Sequence, residues 1–313
     1  MLWLAGVAAA AEPDVWLGGK LITGIEHQSD QGLVLGASEA ELDVRVDGGW
    51  VAARADLDLH LASAPLPDGP WAVTAWPPEV AFLRLGDAGP GSPDVRLGVV
   101  SPELGVEAWD RDANDFASFS LGWNLLDGQV LGVEPGVWVG PDTRLFAFGG
   151  QDLLFGAPQV GAGVSGAVGD ALSTWTGGFW MPTERYWLLV SGNQLALDDT
   201  VWLTAQVDVG DAELHPMVGG LVGLTLDLAP FGAAIRFEHQ SVDRGFLAAR
   251  YATVLPFTTA MTAALRLWHR DTVGVVLEGR ERLLRRAAGP RFDVMLTVAV
   301  HRAGEPLRAD VAR

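Results

Sequence analysis

Arginines, aspartates and glutamates recur at alternate positions along this chain, and that spacing decides what chemistry they can do. Arg45, Arg54, Asp56, Asp58, Arg96, Asp208, Arg236, Glu238, Arg250, Arg266, Glu278 and Arg280 mostly stand between apolar neighbours. Successive side chains of a strand point to opposite faces, so this pattern gathers the charges on one face. Charges of both signs on one face of adjacent strands can bridge and stiffen a wall. They can equally line a water path and bias the passage of ions. Neither role has a covalent step, and for any single residue bracing weighs as much as lining. A second group, Glu103, Glu107, Asp110, Asp112 and Asp115, lies in the acidic insert 101–115 and could fold inward to narrow such a path, giving a weak preference for cations.

Covalent and metal chemistry find little support. The sequence has no Gly-x-Ser-x-Gly elbow, no His-Glu-x-x-His and no Gly-x-x-x-x-Gly-Lys loop. Its six histidines, His27, His60, His215, His239, His269 and His301, are scattered without ligand spacing. His239 and Ser241 lie close, but the parity of their strand puts His239 on the apolar face. The run 110–115 is rich in carboxylates, yet it lacks the glycine and distal glutamate of a calcium loop, so it reads as a solvated acidic segment. The expectation is of a protein that is not an enzyme and uses no cofactor or metal.

The elements that must hold these charges are strands. Residues 39–47 alternate Ala40, Leu42, Val44 and Val46 with Glu39, Glu41, Asp43, Arg45 and Asp47. Gly48-Gly49 suits a tight turn into 50–61, forming a hairpin. Further segments follow at 15–24, 79–86, 94–100, 116–125, 129–140, 143–149, 200–209, 214–227, 231–240, 246–255, 259–269, 273–280 and around 292–300. Glycine is dense between Gly149 and Gly178, which blurs the pattern near 159–169 and 172–181. No helical stretch intervenes, and no run of about eighteen uncharged apolar residues exists to cross a membrane as a helix. Segments of roughly ten residues, apolar on one side and polar on the other, are those of a transmembrane barrel. The expected fold is all-β: a single antiparallel up-and-down transmembrane β-barrel of about 16 strands, with 14 to 18 open.

Composition agrees. Hydrophobic residues make up 49% of the 313 residues and mean hydropathy is +0.22, more apolar than a soluble β-sandwich would carry. The net charge of −18 disfavours nucleic acid, whose phosphates need a basic face. With no cysteine, disulfides and thiolate sites are excluded. Thirteen tryptophans stand against two tyrosines. Trp16, Trp50, Trp123, Trp138, Trp187, Trp202 and Trp268 fall at strand ends, where indole favours a membrane–water boundary, so they suggest aromatic girdles. Residues 1–11 form an apolar run closing on Ala9-Ala10-Ala11, like the end of a secretory signal that lacks its positive start, leaving 12–313 as the barrel.

One stretch carries a family resemblance. Arg96-Leu97-Gly98-Val99-Val100-Ser101-Pro102-Glu103-Leu104-Gly105-Val106-Glu107 leads through a loop with Asn114 into Phe116-Ala117-Ser118-Phe119-Ser120. It resembles the β-barrel porin family of bacterial outer membranes, where Gly-Lys-x-x-(Ser/Thr)-Pro-x-Gly-x-Glu precedes a loop containing Asn and Ser. Val99 stands where that family often has lysine, and one residue is added between Pro102 and Gly105. The end of the chain, Arg308 to Arg313, lacks the terminal aromatic of many such barrels. The resemblance implies an outer-membrane barrel, in contact with lipid, that passes small hydrophilic solutes or ions by diffusion, with homo-oligomerisation left open. The alternatives are a plugged structural or adhesive barrel and a secreted soluble β-rich binding protein.

Overall fold

Alternation gives each strand a face of Leu, Val, Ile and Phe and a face of charged or small residues, and backbone hydrogen bonds then join strands edge to edge. The computed structural model describes residues 14–28, 32–35, 38–61, 64–65, 73–75, 80–87, 89–106, 129–153, 156–169, 171–212, 215–241, 257–269, 273–284 and 291–302. In chain order the strands are β1 (Asp14–Gln28), β2 (Gly32–Leu35), β3 (Ser38–Asp47), β4 (Val51–Leu61), β5 (Ala64–Pro65), β6 (Val73–Ala75), β7 (Ala81–Gly86), β8 (Pro93–Val100), β9 (Val130–Trp138), β10 (Thr143–Asp152), β11 (Pro158–Val168), β12 (Leu172–Met181), β13 (Tyr186–Ala196), β14 (Val201–Ala212), β15 (His215–Leu228), β16 (Phe231–Ser241), β17 (Phe257–His269), β18 (Val273–Leu284) and β19 (Arg291–Arg302).

These strands form one antiparallel wall. β1 pairs with β3 on one edge and with β19 on the other. From β3 the pairing runs through β4, β7 and β8 to β9. From β9 onward each strand pairs with the next until β19. Pairing that leaves β1 through β3 therefore returns to it through β19. The wall has 16 strands among the described residues, with β2, β5 and β6 as short extensions beside β1 and β4. Among the described residues every strand belongs to this one sheet, and no second layer packs on it.

The two faces differ as the alternation requires. Leu42, Leu57, Leu189, Phe237, Leu265 and Leu296 are exposed on the outside. Glu134, Arg144, Asp208, Arg236, Glu238 and Glu278 are buried on the inside. No helix of the described residues is long and apolar enough to cross a membrane. Connections alternate between the two ends. By strand order, 48–50, 87–92, 139–142, 169–171, 197–200, 229–230 and 270–272, all short, join strands at one end, while the long 62–80, 101–129 and 242–256 join strands at the other, together with the short 153–157, 182–185 and 213–214. The Gly48-Gly49 hairpin forms as expected: Gly49 has φ +79° and donates its N–H to the Asp47 carboxylate at 2.7 Å.

Two expectations change. Tyr186–Ala196 is a full strand although alternation does not pick it out, because Trp187 to Val190 are apolar on both faces. Leu188 and Val190 turn inward and are buried, while Leu189 points out with 56% of its surface exposed. Trp187 is exposed on the outward face, as a girdle requires, and Trp50 is exposed in the turn between β3 and β4. The girdle fails for Trp138, buried on the inner face, and for Trp16 and Trp202, whose inner-face registers are Arg45 and Thr225. Strand parity fixes the face of each, and the Trp16 indole lies 5.6 Å from the Arg45 guanidinium instead of in lipid. The expected strands at 116–125 and 246–255 lie outside the described residues, as do Trp123 and the side chain of Trp268.

Candidate functional site

The chain leaves β8 at Val100 and passes into the lumen. Residues 101–106 lie against the inner faces of β11 to β14. The Leu104 amide donates to the Pro102 carbonyl at 2.8 Å, and Gly105 takes φ +85°, so the backbone turns tightly there. The Gly105 N–H donates to the Trp175 carbonyl at 3.1 Å. The Val106 N–H donates to Gln206 Oε1 at 2.8 Å. Gln206 Nε2 donates to Asp208 Oδ1 at 2.8 Å, which fixes the amide with its oxygen toward the loop. Glu103 accepts the Ser165 hydroxyl at 2.5 Å and lies 3.6 Å from Arg96 Nη1.

Glycines make this seat. A Cβ on Gly177 would stand 2.8 Å from Leu104 Cδ2, and one on Gly192 would stand 2.9 Å from both the Cγ1 and the N of Val106. A Cβ on Gly161 would meet the Phe148 ring at 2.4 Å, and one on Gly163 the Phe146 ring at 2.8 Å. The glycine density that obscures β11 and β12 in the sequence is what lets phenyl rings and the loop lie directly on the backbone. Leu104 thus joins an apolar cluster with Phe146, Phe148, Phe179, Leu188 and Val190 inside the barrel.

The wall of β3, β4 and β7 to β10 carries a lattice of charge. Arg45 lies opposite Arg54 across β3–β4, and Arg84 opposite Arg96 across β7–β8. Like charges so close require acids between them. Arg54 Nη2 meets Asp56 at 3.0 Å and its Nε lies 3.8 Å from Asp43. Arg84 meets Asp47 at 3.5 Å, and Arg96 meets Glu134 at 3.3 Å. Arg144, only 2% exposed, donates to Asp94 at 3.1 Å and to Glu134 at 2.5 Å. Gly136 gives that guanidinium room, since a Cβ there would lie 2.5 Å from it. Lys20 pairs with Glu41 beside this wall.

A second polar wall faces inward from β16 to β18. Arg280 donates to Glu238 at 2.6 Å, and Arg236 lies 3.6 Å from the same carboxylate. Arg266 is buried over Gly232, and Glu278 is buried on the same face.

The candidate residues thus fall into two inner clusters: Arg45, Arg54, Asp56 and Arg96 in the first, Arg236, Glu238, Arg266, Glu278 and Arg280 in the second. Asp208 sits between them and the loop, held by Gln206. Asp58 is in register with Glu41, but its side chain is outside the described set. Arg250, Glu107, Asp110, Asp112 and Asp115 lie outside the described residues. Lys20, Arg84, Asp94, Glu134 and Arg144 were not picked out by the sequence. Glu134 is masked because its inner-face companions are Val130, Gly132, Gly136 and Trp138, so β9 does not alternate. Arg144 shares a face with Phe146 and Phe148 for the same reason.

Ionisation of Glu103, in the connection after β8, is set by competing effects. Desolvation raises its pKa, but Arg96, the Ser165 hydroxyl and Arg144 together outweigh it and hold the group below the ordinary glutamate range. Among the described residues, no group of three or more His, Asp or Glu side chains is arranged to hold a metal ion.

No family model matches the sequence, and no curated protein matches it either. Solved structures do. The outer membrane channel DcaP of Acinetobacter baumannii is similar at TM-score 0.59 and 14% identity, over 96% of this chain and 100% of that one. OmpF of Salmonella typhi is similar at TM-score 0.65 and 10% identity, over 93% and 98%. The anion-selective porin from Comamonas acidovorans is similar at TM-score 0.62 and 12% identity, over 93% and 100%. The chain has the fold of bacterial outer-membrane porins over nearly its whole length.

Proposed function

We propose that this chain is an outer-membrane channel through which small hydrophilic solutes and ions diffuse passively. The carrying observation is a wall that returns to its own first strand, greasy outside and charged inside, with residues 101–106 folded into the lumen. An outer face so continuously apolar is unstable in water and stable in hydrocarbon. The interior selects by size and field, with no group taking part in bond making or breaking.

Passage runs between residues 101–106 and the arginine-bearing wall. Glu103 keeps 44% of its side chain accessible and Asp47 31%, whereas Arg54 keeps 28% and Arg96 14%. In each pair the acid is thus more exposed to water than the arginine it meets, Glu103 than Arg96 and Asp47 than Arg84, which favours a weak cation preference. The end with long connections faces outward and the short-turn end faces the periplasm, the usual division in such barrels. Residues 1–11 are read as the close of the export signal and 12–313 as the barrel.

Reconstitution tests the reading. Liposomes carrying the protein should swell in small sugars, and planar bilayers should show steps of conductance with weak cation preference. A barrel that admits no sugar and conducts no ion overturns the channel; clear anion preference overturns the charge assignment alone.

A further inference from the structure

Gln206 on β14 and Gln240 on β16 both face the lumen, but they are used differently. Gln206 is spent: it accepts from Val106 and donates to Asp208. Gln240 is only 3% exposed, yet among the described residues neither its Oε1 nor its Nε2 meets a hydrogen-bond partner. A buried carboxamide idle at both ends bears the full desolvation cost of a donor and an acceptor, so its partner has to come from outside the chain.

The seat of this amide is a glycine. Gly219 on β15 lies in register between Asp208 on β14 and Gln240 on β16. A Cβ on Gly219 would fall inside the Gln240 carboxamide, and the three atoms nearest that point all belong to this side chain. The amide is therefore folded down onto bare backbone, with Asp208 in the next register beyond. Because it makes no bond there, lifting it into the lumen breaks none. Residues 101–106 lie against β11 to β14, so Gln240 stands two strands past the edge of the loop. Glu238 is the next inward residue on β16, and Arg280, which donates to it, keeps 14% of its side chain accessible, so water reaches this stretch of wall.

We propose that Gln240, lifted off Gly219, is a binding station for an uncharged polyhydroxylated solute crossing the lumen. Charge selects the class. Asp208, Arg236, Glu238, Arg266, Glu278 and Arg280 supply three charges of each sign. Glu238 is engaged by Arg280 and Arg236, and Asp208 by Gln206. The capacity left over is neutral: one amide donor group and one amide acceptor side by side. A hydroxyl both donates and accepts, so two adjacent hydroxyls of one solute match Nε2 and Oε1 together. An anion of the same size would instead face Asp208 and Glu238 on either side of the amide. The station rests on the channel reading of the previous section and names a solute class for it.

The test uses the full chain in planar bilayers, with D-glucose as the probe and potassium gluconate as an anion of like size. After correction for bulk conductivity, glucose should lower the single-channel current saturably and gluconate should not. Among channels that conduct, Gln240→Leu should raise the half-saturating glucose concentration by about tenfold. Gly219→Ala displaces only the flexible end of Gln240, holds the amide lifted and should lower that concentration. A conducting parent without saturation by glucose overturns the station and leaves the channel intact. So does saturation by gluconate at the same concentration, or a Gln240→Leu channel that responds like the parent. Glucose binding no tighter in Gly219→Ala overturns the folded-down amide as its resting state. A protein that conducts no ion at all overturns the channel reading itself.

Discussion

Leu104 Cδ2 lies 2.8 Å from the point where a Cβ on Gly177 would stand, so the loop and the barrel wall touch through the absence of a side chain. The same holds at Gly192, where a Cβ would stand 2.9 Å from Val106 N and 3.0 Å from the Gly105 carbonyl carbon, both in the loop. Substituting Gly192→Ala should push the loop off the wall and toward the water path. Single-channel conductance should fall, with an overpacking cost of about 1–3 kcal/mol in barrel stability. If Gly192→Ala conducts like the parent, residues 101–106 do not border the path.

Glu103 ties that loop to the wall through Arg96 and Ser165, and its pKa is held below the usual glutamate value. The sign of the pH dependence follows from this. A depressed folded pKa means the tie contributes fully above the unfolded value of about 4.3 and is lost as pH falls through the lower folded value. Open-channel noise should therefore rise below about pH 4 as the loop loosens. Glu103→Gln should show the same noise at pH 7 and little change on acidification. Equal noise in parent and variant at every pH would remove Glu103 as the tether.

The arginines face water unequally, and this makes selectivity adjustable. Arg54 retains more accessible surface than Arg96, and its partners Asp43 and Asp56 remain if it is reversed. Arg54→Glu should raise cation preference, read as a larger reversal potential across a KCl gradient. Asp47→Asn should lower it. Both changes should weaken at high salt, because the Debye length falls from about 10 Å at 0.1 M to about 3 Å at 1 M. Opposite shifts from the two variants are required; parallel shifts would sink the electrostatic account.

How much of this was legible depends on what each strand touches inside. β16 reads at once, since Phe231, Ile235 and Phe237 face out while Arg236, Glu238 and Gln240 face in. β3 and β4 read the same way, and with them Arg45, Arg54 and Asp56. β11 to β13 do not, because their inner faces hold Gly161, Gly163, Gly177, Leu188 and Val190 against the loop and rings. Period two vanishes where both sides are dry. Arg144 and Glu134 were hidden for a related reason: each is a single charge among apolar or glycine companions, and beyond each other their partners, Asp94 and Arg96, come from β8, about 40–50 residues earlier. The glycine run between Gly149 and Gly178 was the one available signal, as a mark of close packing by another part of the chain.

Arg144 gives the most demanding test of the inner lattice. Its guanidinium is buried, bonded to Asp94 and Glu134, and stacked 5.7 Å from Phe146. Removing one partner of a buried ion pair leaves the others uncompensated, which typically costs about 3–5 kcal/mol. Arg144→Ala should lower the urea midpoint of lipid-reconstituted protein accordingly. Arg144→Met with Asp94→Asn and Glu134→Gln removes the charges together and should recover much of the loss, since a neutral, well-filled site avoids the desolvation penalty. Were the single and triple variants equally unstable, packing and not charge balance would be what Arg144 supplies. A parent-like single variant would show instead that water already enters this corner of the lumen and screens the acids.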